Sequence, residues 1–145
     1  MAPRVVIDAS VGLGLVLHEA YTDAAYRLMG HLAQGQAHLV VPALWDYECL
    51  SALRAAVFLQ KIPAAAAREA LGALWDLAPE RIGPRRELHE SALLWAERLG
   101  QRKAYDAQYV ALAEALEAEL WSADQRLVNG LKAQGVSWGH WIGEA

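Results

Sequence analysis

Short runs of branched apolar residues alternate along this chain with longer segments of helical character, and this alternation restricts the folds open to it. Arg4–Ile7 is predicted to form a buried strand, because its apolar residues are continuous, as in strands covered on both faces. Further strands are predicted at residues 38–41, 81–82, 119–122 and 136–141. Strands that follow one another through helices pair in parallel.

Helices are predicted between these strands, at residues 10–17, 22–35, 43–60, 63–77, 85–99, 104–118 and 125–133. Thr22 is interpreted as the cap of the second helix, and Leu50, Leu53 and Val57 as the core face of the third. The sequence therefore predicts an α/β fold, with a central, mostly parallel sheet between two layers of helices. We expect a single domain that spans residues 1–145.

The composition excludes several classes of protein. A net charge of -4 and a pI of about 5.7 argue against nucleic-acid binding by bulk positive charge, although metal ions inside a site can offset phosphate charge. Cys49 is the only cysteine, so no internal disulfide can form and a cytoplasmic location is expected. No apolar segment approaches the roughly 20 residues of a membrane span.

Four acidic residues lie beside or within apolar segments, namely Asp8, Glu48, Asp106 and Asp124. A carboxylate next to a hydrophobic core needs a partner, and no Lys or Arg is spaced to pair with all four. A divalent cation, bound by oxygen ligands, would satisfy them together. Asp8 ends the first strand and Asp124 follows a later one, at the sheet edge where α/β proteins bind ligands.

Each of these acids also has a purely structural interpretation. Asp124 resembles a helix N-cap, and Asp106 stands near a helix start, where the dipole favours a negative charge. Glu48 has the alternative of an exposed position on its helix, and Asp8 that of a cap. The four together nevertheless favour a shared metal site over four independent caps.

Four short motifs occur in a fixed order along nearly the whole chain. They are Asp8-Ala9-Ser10 after the first strand, Pro42-x-Leu44-x-x-x-Glu48, Tyr-Asp-Ala-x-Tyr-x-x-Leu-Ala from Tyr105 to Ala113, and Ser-Ala-Asp-x-x-Leu from Ser122 to Leu127. In this order the chain resembles the PIN-domain ribonucleases, and most closely the VapC-type toxins of bacterial toxin–antitoxin pairs. The resemblance implies a PIN-like three-layer α/β/α domain.

The chain departs from the pattern of that family at a few positions. Ser51 stands where the glutamate motif often carries Asn, and Ser122 where the last motif often begins with Thr. Gln125 and Arg126 follow the last Asp, where some members carry a further acid. A site for one metal ion and a site for two metal ions therefore both remain open.

The resemblance implies a metal-dependent endoribonuclease with Mg²⁺ or Mn²⁺ held by Asp8, Glu48, Asp106 and Asp124. On this interpretation Asp8 and Asp106 bind the principal ion, Asp124 adds to it directly or through water, and Glu48 binds an ion or orients the attacking water. Ser10 and Ser122 are expected to orient these carboxylates without binding the metal ion themselves. The resemblance also implies a homodimer and an antitoxin whose C-terminal segment covers the active site.

Three basic residues close to the acids are candidates for phosphate contacts with RNA, namely Arg102, Lys103 and Arg126. Other classes fit less well. A haloacid-dehalogenase-type phosphatase would carry a second Asp where this chain has Ser10, and a receiver domain would carry an acidic pair and a late Lys. A non-catalytic PIN-like module that binds RNA or protein remains the alternative.

Overall fold

The computed structural model describes residues 2–145, so Met1, with which the predicted domain begins, lies outside the described residues. Its sheet has five strands in the order β3-β2-β1-β4-β5, and every neighbouring pair is parallel. The strands are β1 (Arg4–Ile7), β2 (His38–Pro42), β3 (Glu80–Ile82), β4 (Glu119–Ser122) and β5 (Gly139–Trp141). The sheet is thus wholly parallel, where the sequence predicts a mostly parallel one.

Seven α-helices connect the strands. They are α1 (Ala9–Val16), α2 (Thr22–Gln34), α3 (Leu44–Phe58), α4 (Ala64–Leu77), α5 (Arg86–Arg98), α6 (Tyr105–Leu116) and α7 (Gln125–Ala133), and a 3₁₀ turn at Ile142–Glu144 follows β5. Because parallel crossovers are right-handed, α1 to α4 lie on one face of the sheet and α5 to α7 on the other. The predicted α/β/α arrangement is confirmed.

The core face of α3 differs from the predicted one. Trp45, Cys49, Leu53 and Ala56 are its buried residues, and this face packs against α1 and α4. The prediction that Leu50 belongs to the core was wrong, since its side chain is 52% exposed. Leu50 lies about a quarter turn from the centre of the buried face, given 3.6 residues per turn.

The role of Thr22 and the length of the last strand also differ from the sequence prediction. Thr22 is the first residue of α2 and does not cap it; its hydroxyl accepts from the Glu19 N–H at 2.9 Å and donates to the Leu17 carbonyl at 3.0 Å. The last strand, β5, begins at Gly139 and is shorter than the predicted 136–141. The reason is that the Val136 N–H donates instead to the carbonyl of Leu131, near the end of α7, at 3.0 Å.

The strand order creates a crevice beside β1. From β1 the chain proceeds to β2 and β3 on one side, and it returns to β4 and β5 on the other. The carboxyl ends of β1 and β4 therefore lie side by side at a switch point, the place where parallel α/β sheets bind their ligands. Asp8 directly follows β1 and Asp124 follows β4 by two residues.

Candidate active site

Asp8 lies at the carboxyl end of β1, beside this crevice, and its backbone is fixed from two sides. Its N–H donates to the carbonyl of Trp121 in β4 at 3.2 Å, and its carbonyl accepts from the indole Nε1 of Trp45 in α3 at 3.2 Å. Gly12 leaves room for that indole, since a Cβ at this position would lie 2.7 Å from the Trp45 ring. These contacts fix the backbone from which the side chain of Asp8 extends, and the residue is only 5% exposed.

Two serines bind the carboxylate of Asp8. The Ser10 hydroxyl donates to Oδ1 at 2.5 Å, and the Ser122 hydroxyl donates to Oδ2. The same hydroxyl oxygens accept from the next loop, Ser10 from the Ala123 N–H and Ser122 from the Asp124 N–H, both at 2.9 Å. The serines therefore connect Asp8 to the loop that carries Asp124.

Burial makes the ionised form of Asp8 costly. It raises the pKa of this carboxyl to about 6, although the hydrogen bonds from Ser10 and Ser122 lower the pKa, and the negative charge of Asp106 raises it further. A buried carboxylate without a cationic partner costs free energy that a bound cation would recover.

A cleft of about 570 Å³ opens at the crevice, and the other predicted acidic and basic residues line it. Its walls include three of the predicted carboxylates and all three predicted RNA contacts, which are Glu48, Asp106, Asp124, Arg102, Lys103 and Arg126. Acids and bases from three distant segments of the sequence thus share one concave surface.

Glu48 reaches the cleft from α3. Its Oε1 accepts a hydrogen bond from the Tyr109 hydroxyl of α6 at 2.6 Å. Burial raises the pKa of Glu48, the bond from Tyr109 lowers it, and the negative charge of Asp106 raises it. The alternative interpretation of Glu48 as an exposed helix residue is wrong, because its side chain is half-buried and has this partner.

Asp106 and Asp124 occupy helix starts. Asp106 lies in the first turn of α6, where burial and then the negative charge of Asp124 raise its pKa, and a 3.4 Å hydrogen bond from Gln101 lowers it. Asp124 caps α7, since its Oδ1 accepts from the N–H groups of Arg126 and Leu127 at 3.0 and 3.3 Å. The capping interpretation of Asp124 is confirmed, and the residue lines the cleft as well.

The four acids influence one another electrostatically, with Asp106 at the centre. The charge of Asp106 raises the pKa of both Asp8 and Glu48, and the charge of Asp124 raises the pKa of Asp106. None of the ion pairs found within residues 2–145 includes any of the four. The negative charge of the group is therefore left without a paired side-chain cation over that range.

The donor set fits a hard divalent cation, although the carboxylates do not converge on a single point. Among residues 2–145, no three His, Cys, Asp or Glu side chains are close enough together to bind one ion. Two of these carboxylates use one oxygen for a bond within the protein, since Glu48 accepts from Tyr109 and Asp124 accepts from its own helix. Carboxylate oxygens are the ligands that Mg²⁺ and Mn²⁺ prefer.

A further acceptor lies beside Asp106. Gln101 lines the cleft and directs its Nε2 to Asp106, while its Oε1 is buried and has no hydrogen-bond partner within residues 2–145. A buried acceptor without a partner is uncommon in folded proteins. A hydrated cation in the cleft would bring water donors close to it, which agrees with the fit of the carboxylates.

The cleft thus combines carboxylates at the switch point of a parallel sheet with basic side chains, an arrangement suited to the hydrolysis of phosphate esters. Comparison with known proteins identifies the family. The profile of the family described as PIN domain matches residues 5–130, and the chain belongs to that family.

Individual relatives and solved structures within this comparison are also similar to the chain. The chain is 38% identical over 130 residues to Ribonuclease VapC9 of Mycobacterium tuberculosis, a match that covers 90% of this chain and 93% of that protein. The crystal structure of PAE2754 from Pyrobaculum aerophilum has the same fold, with a TM-score of 0.70 and 23% identity over 99% of this chain and 87% of that one. A toxin–antitoxin complex from Klebsiella pneumoniae contains a chain of the same fold, with a TM-score of 0.64, 13% identity and coverage of 95% and 97%.

Sequence reasoning missed three residues of the site. Tyr109 was visible only as part of a motif, although its spacing of three from Asp106 places both on one side of α6. Gln101 gave no signal before the fold was known. Trp45 is a core residue, yet its indole also binds the backbone of Asp8, a contact across 37 positions that no local pattern predicts.

Proposed function

We propose that this protein is a metal-dependent endoribonuclease that hydrolyses phosphodiester bonds of RNA and serves as the toxin of a type II toxin–antitoxin pair. The observation that carries the proposal is the cleft lined by both acidic and basic residues, in which Asp106 is close enough to the buried Asp8 to raise its pKa. Membership of the PIN-domain family supports it, as does the name of the relative from Mycobacterium tuberculosis, a ribonuclease.

Asp8, Glu48, Asp106 and Asp124 are proposed to hold Mg²⁺ or Mn²⁺. A bound divalent cation supplies Lewis-acid chemistry, in that it activates water and neutralises charge on phosphate oxygens. Ser10 and Ser122 keep Asp8 in position, because each hydroxyl donates to a different oxygen of its carboxylate. Glu48, whose pKa is raised by burial, is proposed to bind an ion or to orient the attacking water.

Cleavage of RNA by the purified protein tests this function. We expect cleavage of single-stranded RNA with Mg²⁺ or Mn²⁺, loss of cleavage with EDTA, and recovery when the metal is restored in excess. The alternative, a non-catalytic PIN-like module that binds RNA or protein, predicts binding of RNA without cleavage in either metal. A copy of the protein that carries Asp106→Asn, purified in the same way, controls for contaminating nucleases.

Arg102, Lys103 and Arg126 are proposed to bind phosphates of the RNA, because all three line the cleft with the carboxylates. Arg102→Gln is expected to raise KM for RNA several-fold and to leave kcat nearly unchanged, since the residue holds substrate and does not touch the reacting bond. KM should also depend less on salt, so that the slope of log KM against log salt concentration is smaller by about one unit than in the wild type.

Arg68→Gln is the matched control for this prediction, because Arg68 is an exposed arginine on α4 and does not line the cleft. Cleavage rates measured over a range of RNA and salt concentrations give both quantities. Equal values for Arg102→Gln and Arg68→Gln would remove Arg102 from the proposed RNA contacts.

A protein antitoxin and a second copy of the chain are the proposed protein partners. Large apolar side chains are exposed on the outer side of α3, among them Tyr47, Leu50 and Phe58. Next to them is an apolar groove of about 330 Å³, whose lining includes Pro42, Tyr47, Pro84, Leu88 and Leu112. Exposed apolar surface of this kind is typical of protein interfaces.

The proposed location is the cytoplasm, on the grounds of the proposed RNA substrate and of the thiol of Cys49. RNA and a buried, unpaired Cys49 favour the cytoplasm, and burial raises the pKa of Cys49 to about 12, so that its reactive thiolate is suppressed. No helix within residues 2–145 combines the length and the hydrophobicity of a membrane span.

A further inference from the structure

Tyr109 connects two helices that approach the cleft from different faces of the sheet. Its side chain is 1% exposed, and its hydroxyl donates to Oε1 of Glu48 at 2.6 Å, between residues 61 positions apart. Tyr109 belongs to α6, one turn after Asp106, whereas Glu48 belongs to α3. A single hydrogen bond thus links the helix of one proposed metal ligand to the side chain of another.

Glu48 needs such a contact to act at one place. A glutamate has three side-chain torsions, and ordering a long side chain costs conformational entropy. The tyrosine ring is held by the core and brings only two torsions, so its hydroxyl is a rigid anchor. A tyrosine hydroxyl is protonated at neutral pH, so Tyr109 is the donor in its bond to Glu48.

We propose that Tyr109 is a positioning residue, which holds Oε1 of Glu48 and thereby presents the other carboxylate oxygen to the cleft shared with Asp106 and Asp124. The inference rests on the proposed function and deepens it. Tyr109 does not touch the substrate on this account. It acts through Glu48, and residues that orient a metal ligand in this way typically contribute about 10- to 100-fold to metal affinity or activity.

Tyr109→Phe tests the inference, because it removes one oxygen and keeps the ring in the core. We expect the Kd for Mn²⁺, measured by titration calorimetry without RNA, to rise by about tenfold, and kcat for RNA cleavage to fall by about 10- to 100-fold. KM for RNA should stay within twofold, since the basic residues of the cleft are unchanged. Thermal denaturation in EDTA reports whether the variant is folded.

Tyr26→Phe is the matched control. Tyr26 also donates a hydrogen bond through its hydroxyl, to the carbonyl of Leu15 at 2.8 Å, but it does not line the cleft. A general effect of losing a tyrosine hydroxyl would affect stability in both variants. The inference requires that only Tyr109→Phe changes Mn²⁺ affinity and kcat.

Glu48→Gln completes a double-mutant cycle. If Tyr109 acts through Glu48, adding Tyr109→Phe to Glu48→Gln should change Mn²⁺ affinity and kcat by less than twofold, because the group being positioned is already altered. The same loss in both backgrounds would overturn the inference, as would wild-type Mn²⁺ affinity and kcat in Tyr109→Phe. Those two results leave the proposed function intact, whereas a wild-type protein that neither binds Mn²⁺ nor cleaves RNA overturns both.

Discussion

Asp106→Asn is expected to lower the rate of RNA cleavage by about three orders of magnitude, because several kcal/mol of metal-dependent stabilisation are lost and each 1.4 kcal/mol is worth a factor of about ten. Asp106 is the acid whose charge acts on both Asp8 and Glu48, and it lines the cleft with Asp124. An amide of the same shape removes the charge without removing the side chain, so the loss reflects chemistry and not packing.

The loss of activity should occur without a loss of stability. Removing one negative charge from a group of four relieves repulsion, so in EDTA the variant should unfold at or above the temperature of the wild type. Added Mn²⁺ should stabilise the wild type through binding to the folded state and should have little effect on Asp106→Asn. Differential scanning fluorimetry with and without Mn²⁺ measures both quantities.

Asp76→Asn provides the comparison for this experiment. Asp76 is an exposed aspartate near the end of α4 and does not line the cleft, so its amide variant should cleave RNA like the wild type. If Asp106→Asn cleaved RNA at the rate of Asp76→Asn and bound Mn²⁺ as tightly, Asp106 would be a helix-start residue and not a metal ligand.

The sequence predicts the sheet well, because strong local signals determine it. The bounds of β1 and β4 match the predicted ones, since each contains a short apolar run that is followed by a polar residue, Asp8 after β1 and Ser122 at the end of β4. The helix α7 also matches, from the residue after the Asp124 cap to the turn before Gly135, whose φ is +80°. Only glycine adopts that backbone angle readily, so the sequence marks the turn directly.

The core face of α3 was harder to predict because the helix carries apolar residues on its outer side as well. Leu50 and Phe58 are exposed, so a search for a stripe of apolar residues has more than one solution on this helix. The packing of the buried face against α1 and α4, with Trp45 fitted beside Gly12, selects between them. That contact depends on the tertiary structure, and no pattern within α3 contains it.

The meeting of the acids is predictable, whereas their hydrogen bonds are not. In a parallel sheet the positions after β1 and β4 lie side by side once the strand order is known, so Asp8 and Asp124 follow from topology. Which oxygen of Asp8 accepts from Ser122 depends on side-chain torsions. The link from Tyr109 to Glu48 likewise depends on how α6 is rotated, which the sequence does not specify.

Asp8→Asn is expected to stabilise the metal-free protein at neutral pH while it abolishes RNA cleavage. The pKa of Asp8 is about 6 in the folded protein, above its ordinary value of 3.8. The folded state therefore binds this proton more tightly than the unfolded state does. Above pH 6 the folded protein bears the full cost of the buried charge, about 3 kcal/mol at 1.4 kcal/mol per pKa unit. The cost disappears as the pH falls below 3.8.

Part of that gain is offset, because an amide cannot accept on both sides from Ser10 and Ser122 as the carboxylate does. We therefore expect Asp8→Asn to raise the free energy of unfolding in EDTA at pH 7.5 by about 1–2 kcal/mol, less than the full cost of the buried charge. The gain should shrink steadily towards pH 4. Urea denaturation at several pH values measures it, with Asp23→Asn as an exposed control on α2.

Mn²⁺ should reverse the order of stability. The wild type gains binding free energy in proportion to the logarithm of metal concentration, and Asp8→Asn loses the ligand that makes this possible. A stabilising substitution in the absence of metal that becomes the less stable form in its presence is the pattern of a residue retained for function at a cost in stability. Asp8 also caps α1, since its Oδ1 accepts from the Val11 N–H at 3.4 Å. If Asp8→Asn were less stable than the wild type in EDTA at pH 7.5, this cap and the bonds from Ser10 and Ser122 would outweigh the buried charge, and the role of Asp8 would be structural.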